Sequence, residues 1–265
     1  MSITSIENIV RHVCKIGRMA FREQKKGMLD TGYKPDGSVI TRIDGQVEDF
    51  LYAKISRAFP FANILTEETT RAFDPGKPYT FAIDPIDGTD AYSLGMPGWC
   101  VSVGLLKDFE PLAGIIYAPA LDLLLFADVG QKASLNRKPL ACHYVPAQIS
   151  SKTNIVGSSS IHKQVDVSRY PGKIRNAGSA ALHLCYPLIY PGIHATVESR
   201  HTHIWDILAA HAIVYSHGLA FERLSGGLFR YQELLDGSSV GDMILCGHKE
   251  NIEQLRDLLS PRVEG

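Results

Sequence analysis

The sequence has little cysteine, no excess of charge of one sign and no long apolar run. Its five cysteines among 265 residues are widely spaced and never form a CxxC pair, which favours neither a disulfide framework nor a zinc ribbon. The 27 basic and 28 acidic side chains leave a net charge of −1, so no overall positive field attracts nucleic acid or an anionic membrane. A transmembrane helix needs about 18 consecutive apolar residues, and none occur. We therefore expect a cytoplasmic protein with no nucleic-acid or membrane partner.

The composition is that of a globular chain, with 45% hydrophobic and 21% charged residues. At this length folding buries about 70–75% of the unfolded surface, enough for one large domain or two compact ones. Apolar spacing predicts an amphipathic helix at the N-terminus and a second helix over residues 45–59. The polar, proline-containing stretch 130–151 predicts a boundary near residue 145. We expect an N-terminal α+β part, residues 1–145, and a C-terminal α/β part, residues 146–265.

Short apolar runs predict the strands. The segments 62–68 and 79–87 are apolar and each ends in carboxylates. We expect both to be buried strands with acids at their C-terminal ends. Further strand-like stretches between residues 100 and 129 favour an antiparallel or mixed sheet. After residue 150, strand patterns alternate with helical patterns, which predicts helices packed on a largely parallel sheet. The sequence therefore predicts the α/β fold class.

The hexapeptide DPIDGT, which begins at Asp84, places two carboxylates, a proline and a glycine directly after an apolar strand. A turn at the proline can bring Asp84 and Asp87 toward one point, beside the carbonyl of Ile86. Such oxygen ligands without cysteine or histidine suit Mg²⁺ rather than zinc. If a helix begins at Thr89, the amides of Gly88 and Thr89 form an anion site at its start. Alone, the same hexapeptide would also suit a plain turn with solvated acids, the less favoured alternative.

Three further motifs occur in order around this hexapeptide. They are KPDGSVITRID at residues 34–44, TEE at 66–68 and HIWD at 203–206. Together the four motifs resemble the inositol monophosphatase family, within the superfamily that also holds fructose-1,6-bisphosphatases and 3′-phosphoadenosine-phosphate phosphatases. The match spans roughly residues 34–210. The resemblance implies the layered α/β/α/β/α sandwich of this family.

The resemblance also implies a metal site that holds two or three Mg²⁺ ions. Its ligands would be Glu67, Asp84, the carbonyl of Ile86, Asp87 and Asp206. Charge arithmetic supports this assignment, because four carboxylates carry −4 and two divalent cations supply +4. Without cations, these carboxylates would repel one another by about several kcal/mol in a partly dry pocket. We expect the metal-free site to be strained.

The activity that the resemblance implies is hydrolysis of a phosphomonoester by a metal-activated water, with no covalent phosphoenzyme. Thr89 and Asp44 would form a hydrogen-bonded pair that activates the water together with Glu67. The amides of Gly88 and Thr89 would offset charge on the phosphoryl oxygens. We further expect inhibition by lithium and a homodimeric assembly.

The substrate-binding residues follow from the same resemblance. They are Asp87, Gly88, Thr89, Gly178, Ser179, Ala180, Glu198 and Asp206. The turn at residues 178–180 would line the pocket for the substrate alcohol, although Ser179 alone would also suit a helix N-cap. Glu198 would hold substrate hydroxyls. Lys34 and Asp36 belong either to a loop that closes over the site or to a solvated surface loop.

The identity of the substrate is the most open point. Asp90 follows the DGT tripeptide where inositol-specific members commonly carry asparagine, and SHGL at residues 216–219 replaces the usual Glu-Ala-Gly-Gly. The DPIDGT motif, the turn at residues 178–180 and Glu198 lead us to rank inositol 1-phosphate first. Asp90 would in addition repel a second phosphate. Histidinol phosphate, fructose 1,6-bisphosphate and 3′-phosphoadenosine 5′-phosphate are the alternatives. A non-catalytic protein that binds a phosphorylated ligand is the rival from another class.

Overall fold

The computed structural model describes residues 3–27, 30–35, 37–128, 130–141, 148–227 and 229–262. The helices are α1 Ile3–Lys25, α2 Arg42–Ala58, α3 Thr89–Ser93, α4 Ile161–Gln164, α5 Ala180–Ile189, α6 Ile204–Tyr215 and α7 Lys249–Leu258. The first strands are β1 Thr31–Tyr33, β2 Val39–Thr41, β3 Ala62–Thr66, β4 Tyr79–Asp87, β5 Cys100–Lys107, β6 Glu110–Ala118, β7 Leu123–Ala127, β8 Ser134–Leu135 and β9 Lys138–Pro139. The later strands are β10 Asn154–Gly157, β11 Val165–Asp166, β12 Lys173–Arg175, β13 Ala195–Glu198, β14 Ala220–Arg223, β15 Ile244–Gly247 and β16 Ser260–Pro261. The predicted boundary near residue 145 lies outside the described residues.

The larger sheet has the order β3-β4-β5-β6-β7-β8-β9, with β3 parallel to β4 and the other pairs antiparallel. The predicted mixed sheet is therefore confirmed. Successive side chains of a strand point to opposite faces, so Phe81 and Ile83 pack with the apolar faces of α1 and α2. Ala82 faces the other way and packs with α5 and α6.

The smaller sheet has the order β12-β10-β13-β15-β14. The prediction of a largely parallel sheet holds for four of its five strands, since β12, β10, β13 and β14 run in one direction and β15 alone runs antiparallel to its neighbours. Parallel strands need a crossover connection. Here α6 provides one between β13 and β14, and β15 then inserts between them in the opposite direction.

The elements stack in five layers. In order, these are α1 with α2, the larger sheet, α5 with α6, the smaller sheet, and α4 with α7. The predicted α/β/α/β/α sandwich is therefore confirmed. The α5 and α6 layer shares one apolar core with both sheets, so the starts of these two helices lie beside the end of β4. None of the described helices has the length and apolar character needed to cross a membrane.

The start of α2 differs from the prediction, since the helix begins at Arg42 rather than at residue 45. Thr41 caps the helix by accepting a hydrogen bond from Ile43 N, and the Asp44 carboxylate accepts one from Thr41 N at 2.9 Å. This capping box gives α2 a polar first turn, which the apolar pattern alone does not reveal. It also fixes Asp44 at the start of the helix.

Candidate active site

Asp84 and Asp87 occupy the end of β4 on either side of a β-bulge. Asp84 pairs with Ser102 and Asp87 pairs with Cys100, so the register shifts between them. The strand continues through the proline, as the predicted strand over residues 79–87 requires, and a bulge takes the place of the predicted turn. A bulge is the position at which a central strand tolerates a proline, because the extra residue does not need a ladder hydrogen bond. Both carboxylates are buried.

Asp206 reaches the same point from the second half of the chain. It is the third residue of α6, where its carboxylate accepts a hydrogen bond from His203 N at 2.6 Å and completes a capping box. One carboxylate oxygen of each of Asp84, Asp87 and Asp206 lies within 4.8 Å of the others. The structure therefore brings together three acids that are far apart in the sequence, in a group that can hold a metal ion.

The electrostatics of this group favour a cation. Burial, then the charges of Glu67, Asp87 and Asp206, raise the pKa of Asp84 well above its ordinary value. Burial and the Asp206 charge raise the pKa of Asp87 and that of Glu67 to about 7 each. Asp84 Oδ1 is buried and has no hydrogen-bond partner among the described residues. A buried acceptor without a donor, among oxygen ligands only, fits a hard divalent cation.

Asp87 is also held by the start of α5. Ala181 N donates to it at 2.7 Å and Ala180 N at 3.2 Å, and the Ser179 hydroxyl donates a third hydrogen bond. Ser179 is completely buried and accepts a hydrogen bond from Leu182 N, so it caps α5, the alternative that the sequence left open. This link fixes Asp87 against the segment that was predicted to line the alcohol pocket.

Lys34 contacts the metal side of the site. Its Nζ lies 2.7 Å from Glu67 Oε1 and 2.8 Å from Glu68 Oε1, with 19% of the side chain exposed. Burial lowers the pKa of Lys34, but the two glutamates outweigh burial and raise this pKa above its ordinary value. Lys34 is thus paired with two partly buried acids rather than fully solvated. Asp36, named with it, lies outside the described residues.

Glu48 is a supporting residue that the sequence reasoning missed. Its carboxylate accepts a hydrogen bond from Glu68 N at 2.9 Å and lies 3.4 Å from Arg71 Nη2. It therefore fixes the backbone directly after Glu67. Glu48 lies among apolar residues on the buried face of α2, and this position in the apolar pattern could have identified it as a buried acid with a partner.

The structure places the predicted pair of Thr89 and Asp44 within hydrogen-bonding distance. Thr89 Oγ1 lies 3.2 Å from Asp44 Oδ1 and 2.8 Å from the carbonyl oxygen of Ile86, so its single hydroxyl proton can be donated to either oxygen. Burial raises the pKa of Asp44, while hydrogen bonds from Thr41 and Thr89 oppose this shift. The Ile86 carbonyl, a predicted metal ligand, is thus also a possible acceptor for the Thr89 hydroxyl.

A cavity of about 330 Å³ adjoins the carboxylates. Of the predicted substrate-binding residues, six line it: Asp87, Gly88, Gly178, Ala180, Glu198 and Asp206. Thr89 and Ser179 lie outside this wall in the described structure. Gly88 has φ of +90° and a Cβ there would lie 2.9 Å from Gly98 O, so glycine is required.

Other residues of the wall were missed by the sequence reasoning. Ser158 and Ser159 line the cavity directly after β10, and a polar pair at the end of a predicted strand was a signal for them. Behind the wall, His183 Nδ1 lies 2.6 Å from Glu198 Oε1, and both residues are buried. No local sequence signal links these two residues.

Comparison with known proteins agrees with the architecture. The sequence model of the inositol monophosphatase family matches residues 2–259. The inositol-1-monophosphatase of Mesorhizobium japonicum is 27% identical over 253 residues, which cover 91% of this chain and 92% of that protein. The fructose-1,6-bisphosphatase/inositol-1-monophosphatase of Aquifex aeolicus is 28% identical over 270 residues, covering 94% and 99%.

A solved structure of the Thermotoga maritima IMPase superposes with a TM-score of 0.79 at 25% identity, over 97% of this chain and 96% of that one. The match of the family model covers nearly the whole sequence, and the fold and its layers agree with it. The chain therefore belongs to the inositol monophosphatase family, a family of phosphoric monoester hydrolases.

Proposed function

We propose that the chain is a Mg²⁺-dependent phosphatase that hydrolyses a small sugar or polyol monophosphate, with inositol 1-phosphate as the first candidate. The observation that carries this proposal is the group of Asp84 and Asp87, both buried, with the half-buried Asp206; it contains a buried oxygen with no partner among the described residues and lies at one end of a cavity. Acids with raised pKa values in a cavity are typical of functional sites. The family supports phosphoester chemistry.

Two or three Mg²⁺ ions would be held by Glu67, Asp84, the carbonyl of Ile86, Asp87 and Asp206. Bound Mg²⁺ would act as a Lewis acid that lowers the pKa of water and offsets charge on the phosphoryl oxygens. Of these residues, Asp84 offers a buried oxygen with no other partner among the described residues, whereas both Asp87 oxygens already accept protein hydrogen bonds.

The chain's own groups would orient and deprotonate the attacking water. When Thr89 donates its hydroxyl hydrogen bond to Asp44 Oδ1, its oxygen can accept a hydrogen bond from the water; as that oxygen takes the water proton, the hydroxyl proton would pass to the Asp44 carboxylate. Asp44 Oδ2 is fixed by Thr41, so the position of Oδ1 is fixed as well. Glu67 is the second acceptor that we assign to this step. The backbone at Gly88 and Thr89 would face the phosphoryl group.

The wall of the cavity supports a monophosphate as substrate. Its described residues include the acids Asp90 and Glu198 beyond the metal group, and no lysine or arginine. A second phosphate would therefore meet negative charge with no lysine or arginine among the described lining residues to offset it. Glu198 can instead accept hydrogen bonds from alcohol hydroxyls. Fructose 1,6-bisphosphate is the second candidate because the Aquifex aeolicus relative is named for both activities.

A phosphate-release assay tests the proposal. Inositol 1-phosphate, histidinol phosphate, fructose 1,6-bisphosphate and 3′-phosphoadenosine 5′-phosphate are compared at the same Mg²⁺ concentration, with chelator as the control. We expect Mg²⁺-dependent release, fastest with inositol 1-phosphate. If kcat/KM for another compound is more than about tenfold higher than for inositol 1-phosphate, that compound becomes the proposed substrate. Binding without hydrolysis of any compound would favour the non-catalytic alternative.

Four further predictions go with this function. We propose inhibition by lithium, a homodimeric assembly, a cytoplasmic location, and a division into the parts 1–145 and 146–265. Phosphate release in lithium chloride against potassium chloride tests the first. Light scattering coupled to size exclusion tests the second.

A further inference from the structure

His183 and Glu198 form a buried pair behind the alcohol end of the cavity. His183 lies on α5 and its side chain is 0% exposed, and Glu198 ends β13 with 2% of its side chain exposed. The two are joined by the 2.6 Å contact between Nδ1 and Oε1. The other ring nitrogen of His183, Nε2, accepts a hydrogen bond from Ala177 N at 2.8 Å. His183 itself does not line the cavity, whereas Glu198 does.

These two contacts determine where the ring proton lies. A backbone N–H can only donate, so Nε2 must be the unprotonated acceptor. A neutral imidazole carries one N–H, which must then be on Nδ1 and point to Glu198. Glu198 therefore receives a hydrogen bond from His183 as a carboxylate acceptor, and it receives a second one from Ser199 N at 3.3 Å.

The ring also connects three parts of the cavity wall. It joins α5, the end of β13 and the backbone at Ala177, next to the cavity-lining Gly178. The carbonyl of His183 accepts a hydrogen bond from the hydroxyl of Thr196 on β13, which fixes helix and strand a second time. One turn earlier, the start of α5 holds Asp87 of the metal group. The distance between Glu198 and the metal group is therefore set through α5.

We propose that His183 is a positioning residue that determines the alcohol specificity of this site. It acts through Glu198 and the turn at residues 177–180, by holding the carboxylate where a substrate hydroxyl or amino group can donate to it. The inference rests on the proposed function, in which this cavity takes the alcohol part of a phosphomonoester. A phosphate ester whose alcohol part has no hydrogen-bond donor cannot donate to Glu198. Its hydrolysis therefore does not need His183.

Two matched variants separate the two contacts. In His183→Asn, the amide nitrogen lies near the former Nδ1 and can donate to Glu198, but the acceptor for Ala177 is lost. In His183→Gln, the longer amide can accept from Ala177, but the donor to Glu198 is lost. Each variant leaves one buried polar group unpaired, so we expect similar losses of thermal stability. His183→Ala removes both contacts.

The readout is a ratio of two kcat/KM values. The first substrate is the compound of the four-member panel that the wild type hydrolyses best, and each panel compound carries hydrogen-bond donors on its alcohol part. The second is p-nitrophenyl phosphate, which carries none. We expect the ratio to fall about tenfold or more in His183→Gln and His183→Ala, mainly through KM of the first substrate, and to be retained in His183→Asn.

The outcomes distinguish the two proposals. If the wild type hydrolyses neither kind of ester with Mg²⁺, the proposed function fails. If the wild type is active and all three variants lower both kcat/KM values in parallel, His183 is only structural and the inference is wrong. A ratio that falls equally in the Asn and Gln variants would also overturn it, because the donor to Glu198 would then be irrelevant.

Discussion

The two ends of the cavity satisfy their carboxylates in opposite ways. At the metal end, Asp84, Asp87 and Asp206 approach within 4.8 Å, and a buried oxygen of Asp84 has no partner among the described residues. At the alcohol end, Glu198 accepts hydrogen bonds from His183 and Ser199. Both ends contain buried acids, but only at the alcohol end does the protein itself supply the hydrogen-bond donors that the acid needs.

This difference indicates that the two ends control different properties of the protein. Acids that repel one another raise the free energy of the folded chain until a cation binds, so the metal end couples stability to metal and pH. A carboxylate already fixed by donors binds its ligand with little reorganisation, so the alcohol end contributes selectivity. The predictions below separate these two kinds of effect.

The largest effect is expected at Asp84. Asp84→Asn removes a charge from the metal group, so kcat/KM with Mg²⁺ should fall about a thousandfold, the order expected when several kcal/mol of metal assistance is lost. Repulsion with Glu67, Asp87 and Asp206 falls at the same time, so the metal-free melting temperature should hold or rise. Asp257→Asn on the exposed side of α7 is the control. Activity within about threefold of wild type would exclude Asp84 from the metal site.

The second effect is a pH dependence of the metal-free protein. In an unfolded chain, Asp and Glu have pKa values of about 4. In the folded chain, burial and the Asp206 charge raise the pKa of Asp87 and that of Glu67 to about 7. Between pH about 4 and pH about 7 the folded state keeps protons that the unfolded state has released, so the free energy of unfolding falls as pH rises.

Thermal unfolding in chelator at several pH values measures this effect. We expect the melting temperature to fall by more than about 4 °C from pH about 5 to pH about 8, and Mg²⁺ to restore it at the higher pH. In Asp84→Asn the fall should be smaller, because one repulsive partner is gone. A flat or rising melting temperature in chelator would show that these acids are not strained.

The third effect compares two lysines. Lys34 is 19% exposed and bonds Glu67 and Glu68, whereas Lys26 is 64% exposed and bonds Glu23 on the surface. Breaking a partly buried ion pair leaves its acids uncompensated, so Lys34→Gln should lower the metal-free melting temperature by about 2–4 °C. Lys26→Gln should change it little. Equal shifts in the two variants would mean that Lys34 is no more than a surface charge.

The metal end could be predicted better from the sequence than the alcohol end, for a physical reason. The acids of the metal end lie at the ends of an apolar strand and at the start of an apolar helix, where the fold must bring them to one edge. The β-bulge at Asp84 and Asp87 could not be predicted, since proline before an acid also suits a turn. The direction of β15 was missed because apolar patterns do not encode strand direction.

The alcohol end depends on tertiary pairing. His183 lies in the segment AALHLCYPLI, which shows only a buried helix, and its contact with Glu198 arises from the packing of α5 against β13. The hydrogen bonds from Ser179, Ala180 and Ala181 to Asp87 likewise join residues more than 90 positions apart. Such pairings follow from layer packing, and no local pattern shows them.

The smallest effect is expected at Asp90, on the rim of the alcohol end. Asp90 lines the cavity and is exposed, and its backbone carbonyl rather than its side chain accepts the hydrogen bond from Leu94 N. Asp90→Asn should therefore leave α3 intact and remove one solvent-screened repulsion toward a second phosphate. Such a repulsion is worth about 1 kcal/mol at 4 Å in water, so kcat/KM for fructose 1,6-bisphosphate relative to inositol 1-phosphate should rise at most about fivefold. Asp257→Asn should leave this ratio unchanged. A ratio that stays constant in Asp90→Asn as well would show that the second phosphate does not reach this rim, and discrimination would then depend on Glu198.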